Sequence, residues 1–277
     1  MISLRQRLLQ GGRSYGPLIM SDSRIIAELL AGVGYDHLLV DMEHSPTNPQ
    51  SAQRLLQAMD AAAAFTAART TPLVRLADNQ DPASMKLVLD SMRLPGGVLV
   101  PMVEDAKTAE RVVQSTRYPT QQSFPDHGGG IRGCAVPFVR ASGYGMTHNN
   151  DEYLRQCRED LLVMVQVESP QGVDAIPEIA AVEGVDLIFL GPFDLSCSAG
   201  KMGQFQDSDI QQLIAQAEQA VVQSPSCLLG GFQTPGVELK DMFDEKGYSL
   251  VCGAVDLGLL RQAALADCAK GKTAMGE

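Results

Sequence analysis

The run Leu38-Leu39-Val40-Asp41-Met42-Glu43-His44-Ser45-Pro46 ends an apolar stretch in two carboxylates and a histidine, and the proline stops its continuation. A short apolar run reads as a buried β-strand, and a polar cluster at its end reads as a site that the strand positions. These residue types suit proton transfer, because histidine has an unperturbed pKa of about 6.5 and a carboxylate can fix its tautomer. Arg75 stands inside a second apolar run, Pro72–Leu76. A buried guanidinium there must pair with a carboxylate or face an anion. In a third run, Val165-Gln166-Val167-Glu168, period-two alternation sends Gln166 and Glu168 to one face. A fourth ends in Gly191-Pro192-Phe193-Asp194, where the Gly191-Pro192 turn brings backbone close to a ligand and exposed N–H groups could hold a carboxylate. Glu168 and Asp194 form a hard all-oxygen pair of the kind that takes Mg²⁺, Mn²⁺ or Co²⁺, with water and substrate completing the shell. The plainer readings are turn caps for the acidic residues and a structural ion pair for Arg75.

Elements that place these strand ends together follow from the punctuation of the chain. A short amphipathic helix opens it, and Gly11-Gly12 breaks it. Strands are expected at Tyr15–Met20, Asp36–Val40, Pro72–Leu76, Gly97–Val103, Leu161–Glu168, Val185–Leu190, Cys227–Phe232 and Tyr248–Gly253. Helices are expected from a Ser21 or Asp22 cap to Leu30, then at Gln50–Ala63, Pro82–Met92, a segment ending near Ser115, Asp151–Asp160, Asp207–Gln223, Pro235–Lys246 and Leu257–Lys270. Regular βα alternation implies a parallel sheet, and eight units imply a single α/β domain over 1–277, a (β/α)8 TIM barrel. All the polar strand ends then share the C-terminal rim. The first turn reads Met20-Ser21-Asp22-Ser23 rather than Gly-x-Gly-x-x-Gly, which argues against a dinucleotide fold. Tyr118 to Met146 interrupts the rhythm with a long glycine-rich loop before strand five.

Composition narrows the chemistry. The chain has 277 residues, 45% hydrophobic, with net charge -11, an acidic balance that argues against nucleic-acid and anionic-membrane partners. Its six scattered cysteines suit neither a disulfide framework nor a thiolate zinc site. No run reaches the roughly 18 apolar residues that a membrane helix needs, and no signal core opens the chain, so a cytoplasmic location is expected. None of the seven lysines falls in an expected strand or at its end. That removes the nucleophile of a Schiff-base aldolase. His37, His127 and His148 are expected to be structural or loop residues.

Taken in order, Val-Asp-Met-Glu-His-Ser-Pro (40–46), Val-Arg (74–75), Leu-Asp (89–90), Val-Pro-Met-Val (100–103), Arg-Tyr-Pro (117–119), Arg-Gly (132–133), Gln-Val-Glu (166–168) and Gly-Pro-Phe-Asp-Leu-Ser (191–196) resemble the HpcH/HpaI aldolases along nearly the whole chain. The resemblance implies a metal-dependent class II pyruvate aldolase, which cleaves 4-hydroxy-2-oxo acids to pyruvate and an aldehyde. It implies that Glu168 and Asp194 bind a divalent metal, that Arg75 contacts the keto or enolate oxygen, and that Gln166 flanks the substrate. Backbone groups around Gly191, Pro192, Phe193 and Asp194 would take the substrate carboxylate. His44 would be the acid/base group, with Asp41 nearby and Asp90 orienting an imidazole of a neighbouring subunit. It further implies a homo-oligomer, a hexamer built as a trimer of dimers, with the last helix exchanged between partners.

The same superfamily is similar to acyl lyases of the citrate lyase β type, so a metal-dependent 2-oxo acid decarboxylase or an acyl lyase stays open. A non-catalytic oxo-acid-binding barrel is a further alternative, which the acid/base histidine argues against. Two departures fall where the aldehyde would sit. Residues 121–130 lengthen a segment that is compact in many members, and Phe193 stands where many carry alanine. An altered aldehyde preference is expected from both.

Overall fold

The computed structural model describes residues 2–119, 129–146 and 150–276. His127, His148 and residues 121–128 of the glycine-rich loop lie outside them. In chain order the elements are α1 (Leu4–Leu9), β1 (Ser14–Ile19), α2 (Arg24–Val33), β2 (His37–Asp41), α3 (Pro49–Ala62), β3 (Thr71–Arg75), α4 (Pro82–Ser91), β4 (Gly96–Val100) and α5 (Ala106–Thr116). Two short 3₁₀ segments follow, at Val136–Phe138 and Arg140–Gly145. Then come α6 (Asn150–Glu159), β5 (Leu161–Val167), α7 (Pro170–Asp174), α8 (Ile176–Ala180), β6 (Leu187–Leu190), α9 (Pro192–Ser198), α10 (Ser208–Val222), β7 (Leu228–Phe232), α11 (Leu239–Asp244), β8 (Tyr248–Val255) and α12 (Asp256–Met275). All eight strands pair in parallel, in sequence order, and β8 closes on β1. The expected (β/α)8 barrel is the fold of the chain.

The strand sequences explain why the barrel needs two apolar layers. β2 is buried at every position because each face is covered. Leu38 and Val40 point out into the layer shared with the helices, whereas Leu39 points in, stacking with Leu73, Leu99, Leu162, Leu187 and Leu250. Burying one such side chain stabilises the fold by about 2 kcal/mol. Leu4 and Leu8 of α1 join the inner layer, so the N-terminal helix plugs the barrel floor. On that floor His37 bonds Ser14 Oγ through Nδ1 at 2.7 Å and approaches Cys252 Sγ through Nε2 at 3.3 Å. Burial pushes its imidazole down to about 3, the mark of a structural histidine.

The same alternation carries polar groups to the opposite end. Two residues above Leu39 stands Asp41, and two above Leu73 stands Arg75, with Asp41 and Arg75 in register across the β2–β3 pair. Gln166 lies two above Met164, in register with Phe189 on β6. The inward positions thus run from apolar in the middle to ionic at the mouth.

Several boundaries differ from expectation for local reasons. Ser23, rather than Ser21 or Asp22, caps α2, its Oγ accepting from Ile26 N at 3.4 Å. Ser21 is instead held by Asp256, whose carboxylate also accepts from Met20 N at 2.9 Å. β4 ends at Val100 rather than Val103, because Pro101 cannot donate to the ladder and Met102 turns to φ 49°. Between β5 and β6 the crossover is two short helices, α7 and α8, each with a proline in its first turn, Pro170 and Pro177. α12 runs to Met275 and is exposed beyond Gly258. Among the described residues no helix is long and apolar enough to cross a membrane.

Candidate active site

Asp41 ends β2 and organises the turn behind it. Its Oδ1 accepts from Glu43 N at 3.0 Å and its Oδ2 from His44 N at 3.3 Å, so the carboxylate caps the loop that carries both residues. Oδ1 also accepts from Arg75 Nε at 2.8 Å. Arg75 Nη1 lies 2.8 Å from Glu43 Oε2, an ion pair without the direction of a good hydrogen bond. The guanidinium is 3% exposed and stacks over the Phe232 ring, 5.3 Å from its centroid. Arg75 is thus structurally paired, as the plainer reading had it, and it stands at the mouth.

Glu168 follows the last residue of β5 and is 1% exposed. Its Oε1 accepts from Met102 N at 2.8 Å, and its Oε2 accepts a short bond from Gln166 Nε2. Gln166 Oε1 is buried without a hydrogen-bond partner. Across from them Asp194 sits in the first turn of α9, with its side chain partly exposed. His44 Nε2 is 3.8 Å from Asp194 Oδ2 and 3.8 Å from Glu43 Oε1. The carboxylates beside the imidazole are therefore Glu43 and Asp194, whereas Asp41 reaches only the His44 backbone.

Electrostatically the mouth is overloaded with negative charge. Burial, reinforced by the charges of Glu43 and Asp194, pushes the Glu168 carboxyl up to about 7, against the bonds from Gln166 and Met102 that hold it down. Glu43 is likewise pushed up to about 7, by burial first and then by Asp194, Asp41 and Asp78, against the pull of Arg75. The Arg75 guanidinium pairs with Asp41 and Glu43 and also feels the charge of Glu168, and a further cation between Glu168 and Asp194 would relieve the excess. The donors suit a hard divalent ion, and the orphaned Gln166 oxygen points to a missing donor. Among the described residues no cluster of three or more His, Cys, Asp or Glu side chains forms a ready cage. A two-carboxylate site leaves positions for water and substrate.

The remaining expected residues divide. Gly191 and Pro192 start α9 beside Glu168, and Phe193 is exposed, packed edge-to-face on Phe205 at 4.8 Å. Asp90 is not at the mouth of its own barrel. It lies near the end of α4 and pairs with Arg132 Nη2 at 2.7 Å, a guanidinium that also stacks on Tyr118. Glu43, read as a rim carboxylate, is more central than its sequence position suggests; the signal was its place two residues past a strand end that also carries Asp41. Met102, which reaches Glu168 through its backbone N–H, and Asn79, whose side-chain amide donates to the Met102 carbonyl, are residue types that do not by themselves mark a site in the sequence.

Gly191 is required by space. A Cβ there would stand 2.6 Å from Glu168 Oε2 and 2.9 Å from Gln166 Nε2. Gly191→Ala should push the Glu168 carboxylate aside and lower kcat/KM by about a hundredfold, the scale of an ångström's misplacement in a reacting site. Circular dichroism should be unchanged; full activity in this variant would mean that Glu168 does not need its present position.

Comparison with known proteins agrees in extent. The family model for HpcH/HpaI aldolase/citrate lyase matches residues 16–263. The chain is 35% identical over 257 residues to a hydroxypyruvate/pyruvate aldolase of Chromohalobacter salexigens, covering 93% of this chain and 92% of the relative. It is 36% identical over 269 residues to a 4-hydroxy-2-oxo-heptane-1,7-dioate aldolase of Escherichia coli, covering 97% and 94%. Aldolases are carbon–carbon lyases. Among solved structures, an HpcH/HpaI aldolase/citrate lyase family protein from Burkholderia cenocepacia superposes with TM-score 0.86 at 32% identity, covering 97% of this chain and 98% of that one.

Proposed function

Because the chain belongs to the HpcH/HpaI aldolase/citrate lyase family, we propose that it is a divalent-metal-dependent aldolase releasing pyruvate and an aldehyde from 4-hydroxy-2-oxo acids. The observation that carries this reading is the convergence of Glu43, Glu168 and Asp194 on one mouth, with two of the three carboxyls raised to about 7. Glu168 and Asp194 would hold Mg²⁺, Mn²⁺ or Co²⁺. That ion, when bound, supplies a Lewis acid for the oxyanion that develops at the keto oxygen.

The chain's own groups account for the rest. Arg75 is a fixed positive charge at the mouth, immobilised by Asp41, and it stabilises the same oxyanion without reorganising. Gln166 flanks the substrate, its unpaired Oε1 available to a donor. Backbone N–H groups at Phe193 and Asp194, in the first turn of α9, suit the substrate carboxylate. His44 is half-exposed on the solvent side of the pair, where it can accept the 4-hydroxyl proton as the C3–C4 bond breaks. The electron pair of that bond passes to the enolate of pyruvate, and protonation at C3 completes the product. Phe193 and Phe205 present an apolar edge toward the aldehyde end. A homo-oligomer is part of this reading. α12 leaves Leu257, Leu260 and Leu265 exposed, a surface suited to burial against another copy of the chain, as in a hexamer.

The deciding experiment measures pyruvate release from a panel of 4-hydroxy-2-oxo acids and from oxaloacetate, with Mg²⁺, Mn²⁺ or Co²⁺ and then with EDTA. Metal-dependent cleavage of the hydroxy-oxo acids, reduced at least about a hundredfold in His44→Gln, is the expected result. Turnover of oxaloacetate alone would replace the aldolase by a decarboxylase, and activity that survives chelation would remove the metal from the mechanism.

A further inference from the structure

We propose that Asn79 is a positioning residue for the Glu168 carboxylate and acts through the backbone of Met102. The inference rests on the metal reading above only in what it says Glu168 is positioned for.

Met102 is one of two non-glycine residues with positive φ among the described residues, at φ 49°. The left-handed region is costly for a residue with a Cβ, and such strain persists only where surrounding contacts hold it. Its own side chain gives no reason for the conformation, being 41% exposed. The backbone does. Met102 N donates to Glu168 Oε1 at 2.8 Å, which is one of the two bonds that orient the carboxylate.

The peptide that follows Met102 is pinned at both ends. Val103 N donates to Gln166 O at 3.0 Å, tying it to β5. Asn79 Nδ2, from the loop after β3, donates a short bond to Met102 O. With that peptide plane fixed, the positive φ turns the Met102 N–H out of the ladder and onto Glu168. Release of the Asn79 bond would let the plane rotate and Met102 relax to negative φ, which swings the N–H away from the carboxylate. Loops after three consecutive strands, β3, β4 and β5, are thereby linked in one chain of contacts, Asn79 to Met102 to Glu168. Asn79 itself is half-buried in its loop and touches none of the reacting groups.

Two readouts test this. Hydrogen exchange of the segment 101–103 reports on Met102 and Val103 alone, since Pro101 has no amide. In Asn79→Ala the Met102 amide is expected to exchange about tenfold faster, and the Val103 amide, which lies in the plane that Asn79 releases, should lose protection with it. Mn²⁺ titration followed by the free-ion electron paramagnetic resonance signal should show affinity about tenfold weaker, the usual scale for losing an outer partner of a ligand. Asn79→Asp keeps the shape but sets a carboxylate against the Met102 carbonyl, so it should be at least as weak. Adding Met102→Gly to Asn79→Ala removes the Cβ that opposes positive φ and should recover most of the lost affinity, which a merely structural role for Asn79 would not allow. Unchanged Met102 exchange in both Asn79 variants would overturn the proposal. A parent protein that binds no Mn²⁺ would instead defeat the metal reading, and the exchange measurement would still decide whether Asn79 positions Glu168.

Discussion

Glu168→Gln is expected to abolish pyruvate release and, in metal-free protein, to make the fold more stable at pH 8. The loss should be about a thousandfold or more, since a Lewis acid contributes several kcal/mol to such a step. The gain follows from linkage. In the folded protein the carboxyl is pushed up to about 7 from the ordinary 4.5. The folded state therefore holds a proton that the unfolded state gives up between those values. Its contribution to stability is fully present below 4.5 and is lost as pH rises through 7. Glutamine carries no charge at any pH and escapes that loss. The variant should match the parent at pH 4 and exceed it by about 1–3 kcal/mol at pH 8. Gln166 can accommodate the change, because a half-turn of its amide offers the orphaned Oε1 to the new side-chain NH₂. Urea unfolding at the two pH values, with chelator present, measures it. Equal stability at both would mean that the negative charge on Glu168 is already compensated, and the case for a cation at this mouth would lose its main support.

How much of this site could be read from the sequence depends on which physical signal each residue leaves. Asp41, Arg75 and Gln166 are legible because a charged or amide side chain inside an apolar run contradicts the burial pattern around it. Period two then fixes the face, and the barrel fixes the end, so the three meet at the mouth as expected. Asp194 and Gly191 are legible from a glycine-proline break at a strand end. The partners of each residue are less so. Nothing in the spacing of Asp41 and His44 distinguishes a carboxylate that bonds the imidazole from one that caps the turn, and Asp41 does the second. Asp90 pairs with Arg132 across 42 positions, a choice made by the packing of α4 against the glycine-rich segment. Met102 is least legible of all. Its contribution is a backbone torsion, and a methionine at φ 49° looks in sequence like any methionine after a strand.

Arg75→Met should be the most destabilising single change at the mouth. The guanidinium is buried and holds Asp41 and Glu43, so its removal leaves two carboxylates facing each other in a region shielded from water. Breaking a buried pair in this way costs about 3–5 kcal/mol. The penalty should be greatest above neutral pH, where Glu43 is ionised, and smaller in acid, where it takes a proton. Arg75→Lys separates charge from geometry. An ammonium keeps the charge but presents a single point, so it can reach Asp41 or Glu43 but not both as the planar fork does. It should recover much of the stability yet leave kcat depressed by about a hundredfold, the scale of losing one oriented oxyanion donor. Combining Arg75→Met with Asp41→Asn should restore part of the stability and none of the activity, because it removes the orphaned charge without replacing the cation. If Arg75→Met instead unfolds at nearly the parent's denaturant concentration, the two carboxylates reach water without it, and Arg75 is held for the reaction alone.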